Sequence, residues 1–160
     1  MTKILFVCLG NICRSPMAEG LLKKRIASEG KEAEFLWILL LQVRMKLERH
    51  RTLERKKILN QENVDMTNMV ARQITPHDFE TFDWIIGMDQ ENVEELKRRA
   101  PRSAQEKIHL FLSSIPGKEK ENVPDPYYTN NFDETYQLIT EGLDHWWNIW
   151  MDENKITNSF

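Results

Sequence analysis

One stretch limits what this chain can fold into. Ile4-Leu5-Phe6-Val7 is an apolar strand that runs directly into Cys8, and Arg14 follows six residues later, just before a helix opens at Ser15-Pro16. Strand, tight loop and helix in that order put a thiol and a guanidinium on one loop at the carboxyl end of a strand. Open α/β sheets hold their ligands there. Ser15 suits the N-cap and Pro16 the first helical position. Gly10 and Asn11 tolerate positive φ, which a loop of inward-facing amides needs. Loop amides and helix N-terminus then converge on one centre, which binds a tetrahedral oxyanion and lowers the pKa of a thiol beside it. Arg14 can fork two donors onto such an anion. The plainer reading is a buried structural cysteine that ends a strand, and a Cys-x5-Arg spacing alone does not decide between the two.

The rest of the chain alternates strands with helices, which predicts an α/β fold: a single domain with a doubly wound parallel sheet and helices on both faces. The 160 residues are enough to bury one core. A helix is expected over 16–29, with Ala18, Leu21, Leu22 and Ile26 as its apolar stripe, Lys23, Lys24 and Arg25 on its wet side and Gly30 as its stop. A helix around 57–59 ends near Asn63, and Thr75 caps a short helical turn. Strands are expected over 83–88 and 107–112, and a helix over 90–99 that Pro101 stops. A polar loop over 116–124 leads to Asp125, and a last helix runs from Phe132 to about Trp150.

Charged residues are 29% of the chain and the net charge is only -3, which argues against a nucleic-acid partner. No apolar run is long enough to span a membrane. Two cysteines on one tight loop are no disulfide framework, and no cleavable signal is seen, so a reducing, cytoplasmic setting is expected. His77 and the other histidines lack ligand spacing, and no metal or other cofactor is called for.

Cys8-Leu9-Gly10-Asn11-Ile12-Cys13-Arg14-Ser15 resembles the phosphate loop of the low-molecular-weight protein tyrosine phosphatases, and Asp125-Pro126-Tyr127-Tyr128 resembles that family's general-acid loop. Both stand in the family's order and at about its spacing. Val70-Ala71-Arg72-Gln73 and 82–89 also look like family segments, although Met69 stands where many relatives carry a histidine.

The resemblance implies catalytic roles for Cys8, Arg14 and Asp125. Cys8 as thiolate would attack phosphorus to form a phosphocysteine. Asp125 would protonate the leaving phenolate and later take a proton from water; taken alone it reads as a turn residue before Pro126. Leu9, Gly10, Asn11, Ile12, Cys13 and Ser15 would complete the phosphate cradle, with Asn11 pinning its left-handed turn and Ser15 donating to the sulfur. Tyr127 and Tyr128 would wall the entrance and stack on an aromatic substrate, with a core role for one of them as the alternative. Cys13 would form a reversible disulfide with Cys8 under oxidant, or serve as a small packed residue. Asp89 would anchor the loop serine or cap the next helix. The implied partners are phosphotyrosine proteins or small aryl phosphates.

Three other readings of the same residues stand beside this one. Thioredoxin-coupled arsenate reductases share the loop but need cysteines downstream, and none follows Cys13. Protein arginine phosphatases tend to have Thr where Ile12 stands. A phosphotyrosine-binding or impaired form is the non-enzyme alternative.

Residues 36–55 depart from the family, which has a strand ending in Asp-Ser-Ala and then a polar loop. Here Leu36-Trp37-Ile38-Leu39-Leu40-Leu41 is followed by a basic segment, 44–51, so the stretch reads as a buried strand and a charged helix. The sheet would then lose its usual neighbour to the phosphate loop. Back-translated and read one base earlier, 36–56 can spell VDSAATSTNEIGATPDSRTK, with the first D and the E forced by the Trp37 and Met45 codons. A compensated frameshift is therefore one reading of this stretch. His145-Trp146-Trp147-Asn148-Ile149-Trp150 can likewise become LVEYLD; the alternative is an aromatic helix packed on the sheet.

Overall fold

The computed structural model describes residues 2–9, 14–43 and 74–158, with backbone alone at 9, 36–43, 127 and 156–158. Expectations for 10–13, 44–51, 57–63 and 69–73 lie outside the described residues. Four strands form one parallel sheet: β1 (Thr2–Leu9), β2 (Phe35–Val43), β3 (Trp84–Gly87) and β4 (Ile108–Leu110), in the order β2-β1-β3-β4. Among the described residues five helices accompany them: α1 (Arg14–Ser28), α2 (Pro76–Thr81), α3 (Gln90–Arg99), α4 (Pro126–Thr129) and α5 (Phe132–Asn158).

Period-two alternation along β1 sends side chains to both faces of the sheet. Ile4, Phe6 and Cys8 join Met17, Ala18, Leu22 and Ile26 of α1 and Ile139, Leu143 and Trp146 of α5 in one core. Leu5 and Val7 face the other way, with Ile85, Phe79, Phe82, Leu96 and Ala104. Helices thus cover both faces, as the alternating pattern predicts. β1 lies where the chain turns to β2 on one side and β3 on the other. Its carboxyl end is the crevice in which such sheets bind ligands.

The expected loss of a neighbour to the phosphate loop is not what the structure shows. β2 runs parallel to β1 along its whole length, with Cys8 opposite Gln42 and Leu9 opposite Val43. The reason is that an almost wholly apolar, leucine-rich run forms a buried strand whether or not it carries the family's motif.

Boundaries move in three places. α1 begins at Arg14, so Ser15 and Pro16 lie inside its first turn instead of at the cap and first position. Proline is tolerated there because first-turn N–H groups have no intrahelical acceptor. Of the strand expected over 107–112, only Ile108–Leu110 pairs, and Phe111–Ser114 turns into a 3-10 helix. α5 continues past Trp150 to Asn158. α3 matches its expected bounds, and Gly30 takes the positive φ (64°) that ends α1. Thr75 caps α2, with the Asp78 carboxylate accepting from its N–H at 2.7 Å.

Phe35 stacks on Trp147 at 5.3 Å, Trp146 stacks on Trp150 at 5.8 Å, and the Trp146 indole donates to the Phe111 carbonyl at 2.8 Å. All three tryptophans are buried. Gly142 lets α5 approach closely, because a methyl there would run into the Phe111 ring.

Candidate active site

Cys8 ends the buried part of β1 and is wholly inaccessible to solvent. Arg14, on the first turn of α1, is 2% exposed and is held from three directions. Its Nη1 donates to Asp89 Oδ2 and to the Val123 carbonyl, each at 2.9 Å. Its Nη2 lies 3.7 Å from Asp125 Oδ2. The charge of Arg14 also acts on the Cys8 thiol. Cys8 and Arg14, six residues apart, therefore share one site with Asp125 from far along the chain.

Three separate elements do the positioning. β1 carries Cys8. The turn after β3 carries Asp89, which also caps α3 by accepting from the Asn92 N–H at 2.8 Å. The returning loop is pinned where the Val123 N–H donates to the Met88 carbonyl at 2.9 Å. That bond sets Val123 under Arg14 and brings Asp125 to the head of α4. There the Asp125 carbonyl accepts from the N–H groups of Tyr128 (3.0 Å) and Thr129 (3.1 Å).

Burial pushes the Cys8 thiol up; Arg14 pulls it down by its charge, and Asp125 and Asp89 add to the rise. The sequence leads one to expect a thiol held low. Arg14 acts in that direction, but among the described residues burial outweighs it. Burial also works against the charge on Arg14, and Cys8, Asp89 and Asp125 more than offset it, so its pKa is raised.

Two polar atoms in this cluster are buried without a hydrogen-bond partner among the described residues: Arg14 Nε and Ser15 Oγ. An orphaned buried donor costs about 1–3 kcal/mol, so natural proteins keep one mainly where something else satisfies it. Both sit at the start of a helix, where an anion is favoured.

The other expected site residues divide as follows. Leu9 is described only as backbone, in β1, and Gly10, Asn11, Ile12 and Cys13 lie outside the described residues. Tyr127 is described as backbone in α4. Tyr128 is 82% exposed beside Asp125, which removes the alternative of a core role for it. Asp89 caps the next helix, as one of its two readings holds, but pairs with Arg14 and not with the loop serine. Sequence reading missed that pair and the Val123 carbonyl. A carboxylate directly after an apolar strand was the available signal for the first, and a backbone acceptor leaves none. Among the described residues no group of three His, Cys, Asp or Glu side chains could hold a metal, and no helix is long and apolar enough to cross a membrane.

The family profile described as low molecular weight phosphotyrosine protein phosphatase matches residues 3–156. The chain is 37% identical over 144 residues to the low molecular weight protein-tyrosine-phosphatase YfkJ of Bacillus subtilis, covering 90% of this chain and 92% of that protein. The crystal structure of YfkJ superposes with a TM-score of 0.84 over 96% of each chain, at 34% identity. The structure of drosophila arginine phosphatase superposes with a TM-score of 0.80 at 32% identity, over 93% of this chain and 98% of that one.

Proposed function

This chain belongs to the low molecular weight phosphotyrosine protein phosphatase family, and we propose that it hydrolyses phosphotyrosine in proteins and small aryl phosphates through a phosphocysteine at Cys8. One observation carries the assignment of residues. Thiol, guanidinium and carboxylate meet in one buried cluster whose remaining donors, Arg14 Nε and Ser15 Oγ, have no partner among the described residues. A phosphate monoester supplies the acceptors that those donors lack.

The Cys8 thiolate attacks phosphorus in line with the aryl oxygen. The S–P bond forms as the P–O bond breaks, and the Asp125 carboxyl gives its proton to the leaving phenolate. Arg14 bears the charge that spreads over the equatorial oxygens. Water then attacks the phosphocysteine, its proton passes to the Asp125 carboxylate, and phosphate leaves with return of the thiolate. Ser15 donates to the sulfur as it departs. We assign to the amides of 9–13 the rest of the cradle, to Cys13 the role of redox partner of the nucleophile, and to Tyr127 and Tyr128 the aromatic ring of the substrate. A thiol nucleophile with these demands suits a reducing, cytoplasmic setting.

A second reading, hydrolysis of phosphoarginine, is favoured by the likeness to drosophila arginine phosphatase. Ile12, where arginine phosphatases tend to have Thr, supports the flat aromatic ester. Both readings are tested with a phosphotyrosine peptide and a phosphoarginine peptide, on the protein and its Cys8→Ser variant. Turnover of phosphotyrosine that vanishes in the variant supports the proposal. Preference for phosphoarginine replaces it with the second reading. A folded protein that binds the phosphotyrosine peptide without turnover overturns catalysis in favour of a binding module.

A further inference from the structure

We propose that Thr135, on the first turn of α5, is a positioning residue for the general acid, acting through the peptide bond that joins Pro124 to Asp125. The inference rests on the phosphatase reading and deepens it. Thr135 is wholly buried. Its hydroxyl donates to the Pro124 carbonyl at 2.9 Å. The same oxygen lies 3.3 Å from the Asn131 carbonyl, one turn back on the helix. A hydroxyl has one proton to give, and the nearer carbonyl takes it.

The acid needs such a hold. Asp125 Oδ2 stands 3.7 Å from Arg14 Nη2, beyond hydrogen-bond reach, so this pair does not fix the carboxylate in place. The backbone beneath it does more. Pro124 and Pro126 flank Asp125, and each ring fixes its own φ and restricts the residue before it. The chief soft angles left are ψ of Pro124 and φ of Asp125, on either side of one peptide plane. That plane carries the carbonyl that Thr135 holds.

The neighbouring carbonyls set this bond apart. That of Val123 accepts from Arg14, which belongs to the reacting cluster. Those of Asp125 and Pro126 accept from backbone N–H groups, the latter from Asn130 at 2.9 Å. From 123 to 126, the Pro124 carbonyl is the one held by a side chain outside that cluster. The element behind it is stiff. Asn131 Oδ1 accepts from the Glu134 N–H at 3.1 Å at the start of α5, and Phe132 and Ile139 are buried in the core on either side of Thr135. Thr135 therefore ties the general acid to a rigid helix and not to another loop.

The test is steady-state kinetics of the full chain with Thr135→Val, which keeps the shape and loses the hydroxyl, and Thr135→Ser, which keeps the hydroxyl. In Thr135→Val, kcat/KM on a phosphotyrosine peptide should fall by about tenfold to a hundredfold. The loss should be much smaller on an aryl ester of a more acidic phenol, whose leaving oxygen needs less protonation. A smaller folded fraction would lower both esters alike. Thr135→Ser should recover most of the loss. Added to Asp125→Asn, Thr135→Val should cost little more, because the group it positions is already gone. Thr140→Val is the control: its hydroxyl donates to the Tyr136 carbonyl within the same helix at 2.9 Å, and both esters should be turned over as by the wild type.

An equal loss on the two esters, a loss that Thr135→Ser does not recover, or a full further loss on top of Asp125→Asn overturns the proposal. Phosphotyrosine turnover by the wild type that Thr135→Val leaves unchanged overturns it too, and leaves the phosphatase reading standing. No turnover by the folded wild type overturns that reading, and this inference falls with it. Should Thr135→Val not fold, the NMR spectrum of the ¹³C,¹⁵N-labelled wild type decides. A slowly exchanging Thr135 hydroxyl proton coupled to the Pro124 carbonyl carbon supports the hold, and a hydroxyl proton in fast exchange with water overturns it.

Discussion

The first turns of α1 and the Leu143–Trp150 face of α5 are both buried, and they are built from opposite chemistry. From Arg14 to Gly20 every residue of α1 is buried, and three of them, Arg14, Ser15 and Glu19, are polar or charged. Each of those three keeps a buried atom without a partner among the described residues. On that stretch of α5 the buried large side chains are Leu143, Trp146, Trp147 and Trp150, with Trp147 stacked on Phe35 and Trp150 edge-on to it. One length of helix is driven under a loop with its hydrogen bonding incomplete. The other is close to hydrocarbon packing, with the Trp150 indole N–H as its one blemish. The difference separates function from stability: the unsatisfied polar atoms of α1 destabilise the unliganded fold, and the aromatic face of α5 offsets that deficit.

The separation is broken most directly from the catalytic side. Asp125→Asn should lower kcat on a phosphotyrosine peptide by about a hundredfold to ten-thousandfold, with much less loss on an aryl ester of a more acidic phenol. The melting temperature should hardly move. An equal loss on both esters would mean that Asp125 serves only as a partner of Arg14. From the other side, Trp150→Ala should destabilise by about 3–5 kcal/mol in denaturant titration. The kcat of the remaining folded protein should be unchanged. A fall in kcat at constant folded fraction would show that the two regions are coupled through α1.

The contrast also explains how much could be read from the chain alone. Local patterns carry far: the strand into Cys8, α3 between its Asp89 cap and Pro101, and the stop at Gly30 all follow from neighbours in sequence. The partners of Arg14 do not, since Asp89 and Val123 are 75 and 109 residues away. Nor does the start of α1 at Arg14 follow from local preference. A serine before a proline favours a cap locally, whereas Ser15 is helical here. Residues 35–43 lack the family's motif yet pair with β1, because pairing needs only an extended apolar run in register. Identity of residues and identity of backbone are different demands, and only the first is missing there.

A finer cut is possible at Asp89, which serves both regions by capping α3 and holding Arg14. Asn caps as well as Asp, so Asp89→Asn removes the charge and keeps the cap. The expected result is a loss of about tenfold to a hundredfold in kcat from a less constrained guanidinium, with little change in stability. Asp89 raises the Cys8 thiol, so its neutralisation should also move the pH dependence of Cys8 alkylation to lower pH. A shift upward would mean that loosening Arg14 matters more to the thiol than removing the carboxylate.

The smallest effect falls on Glu19, where the two characters meet on one helix. Burial pushes its carboxyl up, and Lys23, at 2.7 Å, only partly opposes this. Above pH 4.5 the unfolded chain loses this proton while the folded protein still holds it. Its contribution to stability is therefore full below that point and is lost as pH rises through the folded value. That is the reverse of an ordinary surface carboxylate. Glu19→Gln should remove this slope between mildly acidic and neutral pH, as read from denaturant midpoints. A steeper slope in the variant would mean that the Lys23 pair controls the carboxyl. The buried polar half of α1 would then be held together by charge, and its unpartnered atoms would no longer mark a deficit kept for a ligand.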